Sequence, residues 1–152
     1  MIRTISLLSL LLLTACDSAT GPATAEVSVG DTYSATTLQL SSLGDAPRSY
    51  DYLANGASFD MTFTTRTAFQ SSLFVPREAL VASGETDDVD RDIDQDYTGT
   101  YTQHDGALSF TPDGFSDSFL TADGWTVSDD GRSIRYSDRD GEMSIAVELT
   151  RR

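Results

Sequence analysis

Five aspartates at alternate positions have a spacing that could allow them to bind a metal ion. They are Asp88, Asp90, Asp92, Asp94 and Asp96. In an extended chain, residues two apart project from the same side, at intervals of about 7 Å. A hard cation such as Ca²⁺, which takes roughly six to eight oxygen ligands, would help to order such a run. The run is not an EF-hand, because isoleucine stands where that loop needs its sixth-position glycine. The other interpretation is a solvated acidic loop, which runs of like charge usually form.

The single cysteine, Cys16, follows a short apolar run at residues 5–13, and Arg3 precedes that run. The run is shorter than the roughly 20 residues that a membrane-spanning helix needs, and its flanks are typical of a secretory signal peptide. Leu13-Thr14-Ala15-Cys16 resembles the lipobox of bacterial lipoproteins. The resemblance implies cleavage before Cys16, diacylglycerol on its thiol and often a fatty acid such as palmitate on its new amine. Two or three acyl chains anchor a protein stably, whereas one is marginal.

This resemblance divides the chain into three parts. Residues 1–15 are the expected signal peptide, and residues 16–30 are the lipidated cysteine and a flexible tether of small and polar residues. Residues 31–152 are the expected folded domain. Because Cys16 is the only cysteine, the domain has no internal disulfide and must be held together by packing.

His104, the only histidine, stands beside Asp105 in a predicted turn. A catalytic base of this kind must be held by a third group and must face a nucleophile. The sequence contains no nucleophile elbow, no phosphate-binding glycine loop and no zinc motif. We therefore expect no catalytic residues and no enzymatic activity.

The charge balance is strongly acidic, with 24 Asp plus Glu against 10 Lys plus Arg, for a formal net charge of −14. Such a surface repels the phosphate backbone of nucleic acids. Nucleic-acid binding is thereby excluded as a function class.

Five Asp-Gly pairs divide the last third of the chain into short segments: Asp105-Gly106, Asp113-Gly114, Asp123-Gly124, Asp130-Gly131 and Asp140-Gly141. Asp-Gly is favoured in type I′ hairpin turns, because both central positions need a positive φ. Apolar and polar residues alternate most clearly at 58–64 and 143–150, as in half-buried strands. Gly99 within a strand indicates a bend or a close backbone approach. Residues 76–82 form either a short helix that begins at a proline or an extended continuation.

About eight strands and no long amphipathic helix predict an all-β fold. An antiparallel up-and-down meander that closes into a small barrel is the economical arrangement, because closure removes exposed strand edges. A β-sandwich is the alternative. The side chains expected to fill the barrel interior are Phe59, Met61, Phe63, Tyr97, Tyr101, Leu108, Phe110, Phe119, Trp125, Ile134, Tyr136, Met143, Ile145, Val147 and Leu149.

Several short motifs resemble the small lipocalin-like domains of bacterial lipoproteins. They are Gly99-Thr100-Tyr101, Gly106-Ala107-Leu108-Ser109-Phe110, Trp125-Thr126-Val127 with a later Ile134, and a terminal Val147-Glu148-Leu149-Thr150-Arg151. The resemblance covers about residues 30–152 and implies a lipocalin-like β-barrel. It implies no catalytic residues, because the family shares none, and many of its members have no known ligand.

Together these features predict a monomeric lipoprotein of the bacterial cell envelope, on the periplasmic or surface side of a membrane. Its domain is expected to be a binding or structural module for a small apolar ligand or for none, since bulky side chains occupy the space that a ligand needs. The alternative is an interaction protein that depends on a divalent cation held by the acidic loop at residues 85–96.

Overall fold

A computed structural model describes residues 25–42, 47–84, 90–114 and 119–152. This part of the chain forms nine strands, one α-helix and two short 3-10 turns. The strands are β1 (Thr32–Ser42), β2 (Arg48–Asp51), β3 (Ser58–Phe63), β4 (Ala68–Val75), β5 (Ile93–His104), β6 (Ala107–Pro112), β7 (Trp125–Val127), β8 (Ser133–Asp140) and β9 (Met143–Arg151). The helix α1 (Arg77–Ser83) lies between β4 and β5, and the 3-10 turns are Leu53–Asn55 and Phe119–Thr121.

Eight of these strands form a closed antiparallel barrel. From β3 to β9 each strand pairs with the next, and β1 pairs with both β3 and β9. The additional strand, β2, pairs with the last residues of β1. The predicted all-β meander is therefore confirmed, and the sandwich alternative is wrong.

The closing pair of strands is long. β1 and β9 are paired from Tyr33 opposite Arg151 to Ser42 opposite Met143, with an irregularity between Ala35 and Thr37. Because β1 forms backbone hydrogen bonds with β9, neither strand leaves an unpaired edge where the barrel closes.

Aromatic side chains fill the middle of the barrel. Trp125 is fully buried, stacks on Tyr136 at a centroid distance of 4.9 Å and meets the ring of Phe110 edge-on at 5.7 Å. The ring of Phe63 lies 4.7 Å from that of Tyr101. The buried members of the expected interior set are Phe59, Met61, Phe63, Tyr97, Tyr101, Leu108, Phe110, Trp125, Ile134, Tyr136, Val147 and Leu149, while Phe119 and Ile145 are partly buried against them.

Met143 is the exception in that set. Its side chain is 41% exposed, so the prediction that it lies in the interior is wrong. Met143 pairs with Asp140 in the last row of the β8–β9 hairpin, beyond the layers of core side chains. The alternation of β9 thus continues past the point where there is a core to fill.

Only one of the Asp-Gly pairs forms the turn that its composition favours. Asp105 and Gly106 both have positive φ, at 49° and 80°, and they connect His104 directly to Ala107 as a two-residue hairpin. This is the pattern of a type I′ turn. In the other four pairs the glycine alone has a positive φ.

Gly99 is required by a close backbone approach between β5 and β6. A Cβ atom placed on Gly99 would collide with the carbonyl oxygen of Thr111 and would lie 2.8 Å from the Cα of Pro112. Of the two meanings that a strand glycine can have, the close approach is the one observed.

Residues 25–31 cross one end of the barrel, which we call the plugged end. Val27 is 9% exposed there. The side chain of Gln103 holds the segment at two points: its oxygen accepts from the backbone N–H of Val27 at 3.0 Å, and its amide donates to the carbonyl of Ala25 at 2.8 Å. The sequence predicts a tether over residues 16–30, whereas residues 25–30 lie against the barrel.

Tyr33 secures the plugged end from inside. Its side chain is fully buried, and its hydroxyl donates to the carbonyl of Gly131 at 2.8 Å. Burial, with a smaller contribution from the nearby carboxylate of Asp31, raises the pKa of Tyr33 to about 12.

Candidate functional site

The opposite end of the barrel, which we call the mouth, contains an apolar cavity of about 130 Å³. Strands β1, β4, β5 and β9, helix α1 and the segments around both 3-10 turns contribute to it. The lining residues are Leu38, Leu40, Tyr52, Leu73, Val75, Leu80, Ile93, Phe119 and Ile145. Apart from the hydroxyl of Tyr52, these side chains are purely hydrocarbon.

Helix α1 covers one side of the mouth. It begins after Pro76, which has an extended backbone, and ends at Gly84, whose φ of 77° lets its N–H bond to the carbonyl of Val81. Proline before the first turn and glycine after the last are the usual helix boundaries. The helical alternative for residues 76–82 is therefore the correct one. Leu80 points inward and is 6% exposed, whereas Val81 is 38% exposed.

The acidic run contributes to the mouth through Asp92. Pro76 offers no side chain to cap α1. Instead the Oδ1 atom of Asp92 accepts a 2.7 Å hydrogen bond from the backbone N–H of Arg77. The carboxylate just before β5 thus accepts from an N–H group that has no acceptor within the helix, at the end of the helix where negative charge is also favoured.

Among the residues that the structure describes, the other aspartates of the run do not converge on a common point. Asp90, Asp94 and Asp96 are exposed, and the last two project outward from β5. Asp88 lies outside the described residues. Within the ranges that the structure describes, no group of three or more Asp, Glu, His or Cys side chains is placed to hold a metal ion.

The barrel has larger surface grooves, but most of the residues that line them have polar or charged side chains. One of about 610 Å³ lies at the plugged end, between residues 26–29 and the β3–β4 turn, and includes Glu26 and Arg66. Another of about 390 Å³ runs over the outer face of β3, β4 and β5, where hydroxyl, amide and carboxylate groups line it. Binding sites for small molecules are usually concave and predominantly apolar. The mouth therefore fits that description best.

The residues of the mouth come mainly from outside the set that the sequence predicts. Phe119 and Ile145 are the two expected interior residues that reach it. Leu73 and Val75 belong to an apolar stretch of β4, and Leu38 and Leu40 to the imperfect alternation of β1. The apolar residues of each strand are visible in the sequence, but only the fold shows that these positions lie at the same end of the barrel.

His104 and Asp105 lie at the tip of the β5–β6 hairpin. Nε2 of His104 is 3.2 Å from Oδ2 of Asp105, and the two side chains are 92% and 85% exposed. A catalytic base is normally oriented within a site from which water is partly excluded. The absence of enzymatic activity stays a prediction.

No protein-family model matches this chain, and no curated protein or solved structure is significantly similar to it. The fold and the mouth therefore carry the functional argument. In the described part of the chain, none of the helices combines the length and the apolar character needed to cross a membrane. Cys16 and the segment before it lie outside the described residues.

Proposed function

We propose that the protein is a lipid-anchored lipoprotein of the cell envelope whose lipocalin-like barrel binds a small apolar group at its mouth, without catalysis. The observation that carries this proposal is the hydrocarbon-lined cavity beside α1. The resemblance of residues 13–16 to a lipobox supports the anchor, and the closed eight-stranded meander supports the comparison with lipocalin-like domains.

The size of the cavity limits what can bind. Its volume of about 130 Å³ is well below the range of roughly 300–1,000 Å³ for sites that hold drug-sized ligands. An enclosed apolar cavity of about 150 Å³ in another protein binds benzene, and the cavity at the mouth has a similar volume, although it opens to solvent. The fitting ligand is therefore a single ring or the end of an alkyl chain, bound by burial of hydrocarbon at roughly 25 cal/mol per Å².

The test is a titration with benzene, followed through the methyl resonances of Leu80 and Ile145. We expect saturable shifts at these methyls. Leu40→Phe adds bulk inside the cavity and should weaken binding at least several-fold. Met143→Phe adds the same ring at the exposed rim and serves as the matched control. Unchanged methyl resonances at saturating benzene, or equal binding by both variants, would contradict the apolar site.

The anchor is tested separately by the intact mass of protein extracted from the membranes of a bacterial host. We expect a chain that begins at Cys16 and carries the added mass of its acyl groups. Cys16→Ser should leave the protein without lipid and in the aqueous fraction. An unmodified thiol in the parent protein would refute the anchor while leaving the apolar site intact.

A further inference from the structure

We propose that the plugged end of the barrel faces the bilayer that holds the anchor, so that the apolar mouth opens away from it. This inference rests on the anchor at Cys16 that forms part of the proposed function. It adds the direction from which a ligand arrives, namely the aqueous compartment rather than the anchoring leaflet.

The first observation is where the chain enters the barrel. Ala25 is held by the amide of Gln103, next to the β5–β6 hairpin. Val27 is buried across the same end and bonds to the same side chain. The tether therefore leaves from the plugged end, and the hydrogen bonds of Gln103 fix its point of departure.

The second observation is the length of the tether. Nine peptide links separate Cys16 from Ala25. Fully extended they span about 30 Å, and as a flexible coil they span about 17 Å root-mean-square. Strand β5 has 12 residues, which is about 40 Å of strand and about 30 Å along the axis of a barrel with strands tilted by roughly 40°. The mouth could touch the bilayer only with the tether near full extension.

The experiment uses the full-length lipoprotein in vesicles of phosphatidylethanolamine and phosphatidylglycerol. Carboxylates are activated with a water-soluble carbodiimide and coupled to a bulky polyethylene glycol amine, and rates are read by peptide mass spectrometry. Asp105 reports the plugged end, where its side chain is 85% exposed. Asp94, which is exposed near the start of β5, reports the mouth. Cys16→Ser protein with the same vesicles gives the unanchored rates.

We expect anchoring to slow labelling of Asp105 several-fold and to leave Asp94 unchanged. Gln103→Ala removes the hydrogen bonds that hold Ala25 and Val27 to the barrel. It should reduce the difference in slowing between Asp105 and Asp94. Equal slowing at both sites, or greater slowing at Asp94, would overturn the orientation. If the intact mass shows no lipid on Cys16, the anchor has failed. The thiol of Cys16 is then coupled to a maleimide lipid, and the same two rates still decide the orientation.

Discussion

Oδ1 of Asp92 lies 2.7 Å from the backbone nitrogen of Arg77, and this contact joins the residue before β5 to the start of α1. The two residues are separated by the whole helix and the segment that follows it. A carboxylate that the sequence offers as a metal ligand thus acts as the cap of a helix that covers the mouth. Together with the burial of Ala79 and Leu80, the contact holds a seven-residue helix, too short to be stable alone, against the barrel.

Asp92→Ala should loosen α1 without unfolding the barrel. We expect a loss of about 1 kcal/mol in local stability, the usual cost of removing a helix cap. The measurement is amide hydrogen exchange, which should accelerate at Leu80 and Val81 and stay unchanged in β9. Asp94→Ala removes an exposed carboxylate two residues away and is the control. Equal effects of the two substitutions would mean that only the charge matters.

Gly99→Ala should destabilise the whole barrel. The new Cβ meets the backbone of Thr111 and Pro112, which cannot rotate away as a flexible side chain could. We expect a loss of several kcal/mol, comparable to severe overpacking. Thr100→Ala alters the exposed neighbour and should cost less than about 1 kcal/mol. Urea unfolding followed by the fluorescence of buried Trp125 compares the two. If Gly99→Ala lowers the free energy of unfolding no more than Thr100→Ala does, β5 and β6 can move apart to accommodate the new Cβ atom.

Ionisation of Tyr33 should lower the free energy of unfolding at alkaline pH. Its pKa is raised from 10.0 to about 12 in the folded protein, so the unfolded chain ionises first. The stabilising contribution is complete below pH 10 and is lost as the pH rises from 10 to about 12. Tyr33→Phe should flatten that decline. At neutral pH it should cost roughly 1 kcal/mol, because the carbonyl of Gly131 loses its partner. Denaturant unfolding at a series of pH values is the measurement, and an equally steep decline in the variant would contradict this account.

Positions 149 and 143 should respond very differently, although both are apolar members of one alternating strand. Leu149 is fully buried and Met143 is 41% exposed. Leu149→Ala should cost roughly 2–5 kcal/mol, whereas Met143→Ser should change stability by less than about 0.5 kcal/mol. Thermal unfolding of the two variants provides the comparison. A large loss of thermal stability in Met143→Ser would indicate that Met143, at the rim of the mouth, is covered in solution.

The strands were predictable where a single face is buried. In β3, Phe59, Met61 and Phe63 alternate with polar residues, and the structure buries all three. The same rule failed at Met143, because periodicity gives the face of a strand but not where the core ends. The choice between helix and strand at residues 76–82 also needed the tertiary contact from Asp92.

The mouth could not be predicted, because its residues are far apart in the sequence. Leu38, Leu80 and Ile145 meet only because β1 pairs with β9 and α1 folds over the end of β4. The role of the acidic run could not be predicted for a related reason. The spacing of its aspartates correctly places Asp94 and Asp96 on one side of β5, but does not reveal which atoms lie opposite Asp92.

The long pairing of β1 with β9 also bears on when this protein can fold. The first strand of the barrel has its most extensive pairing with the last, so the closing contacts join residues about 110 positions apart at the two ends of the barrel sequence. Such non-local closure is slow. A chain still lacking its final residues would expose an unpaired β1 and an incomplete core, which makes such intermediates prone to aggregate. The barrel can therefore close only after β9 has been synthesised.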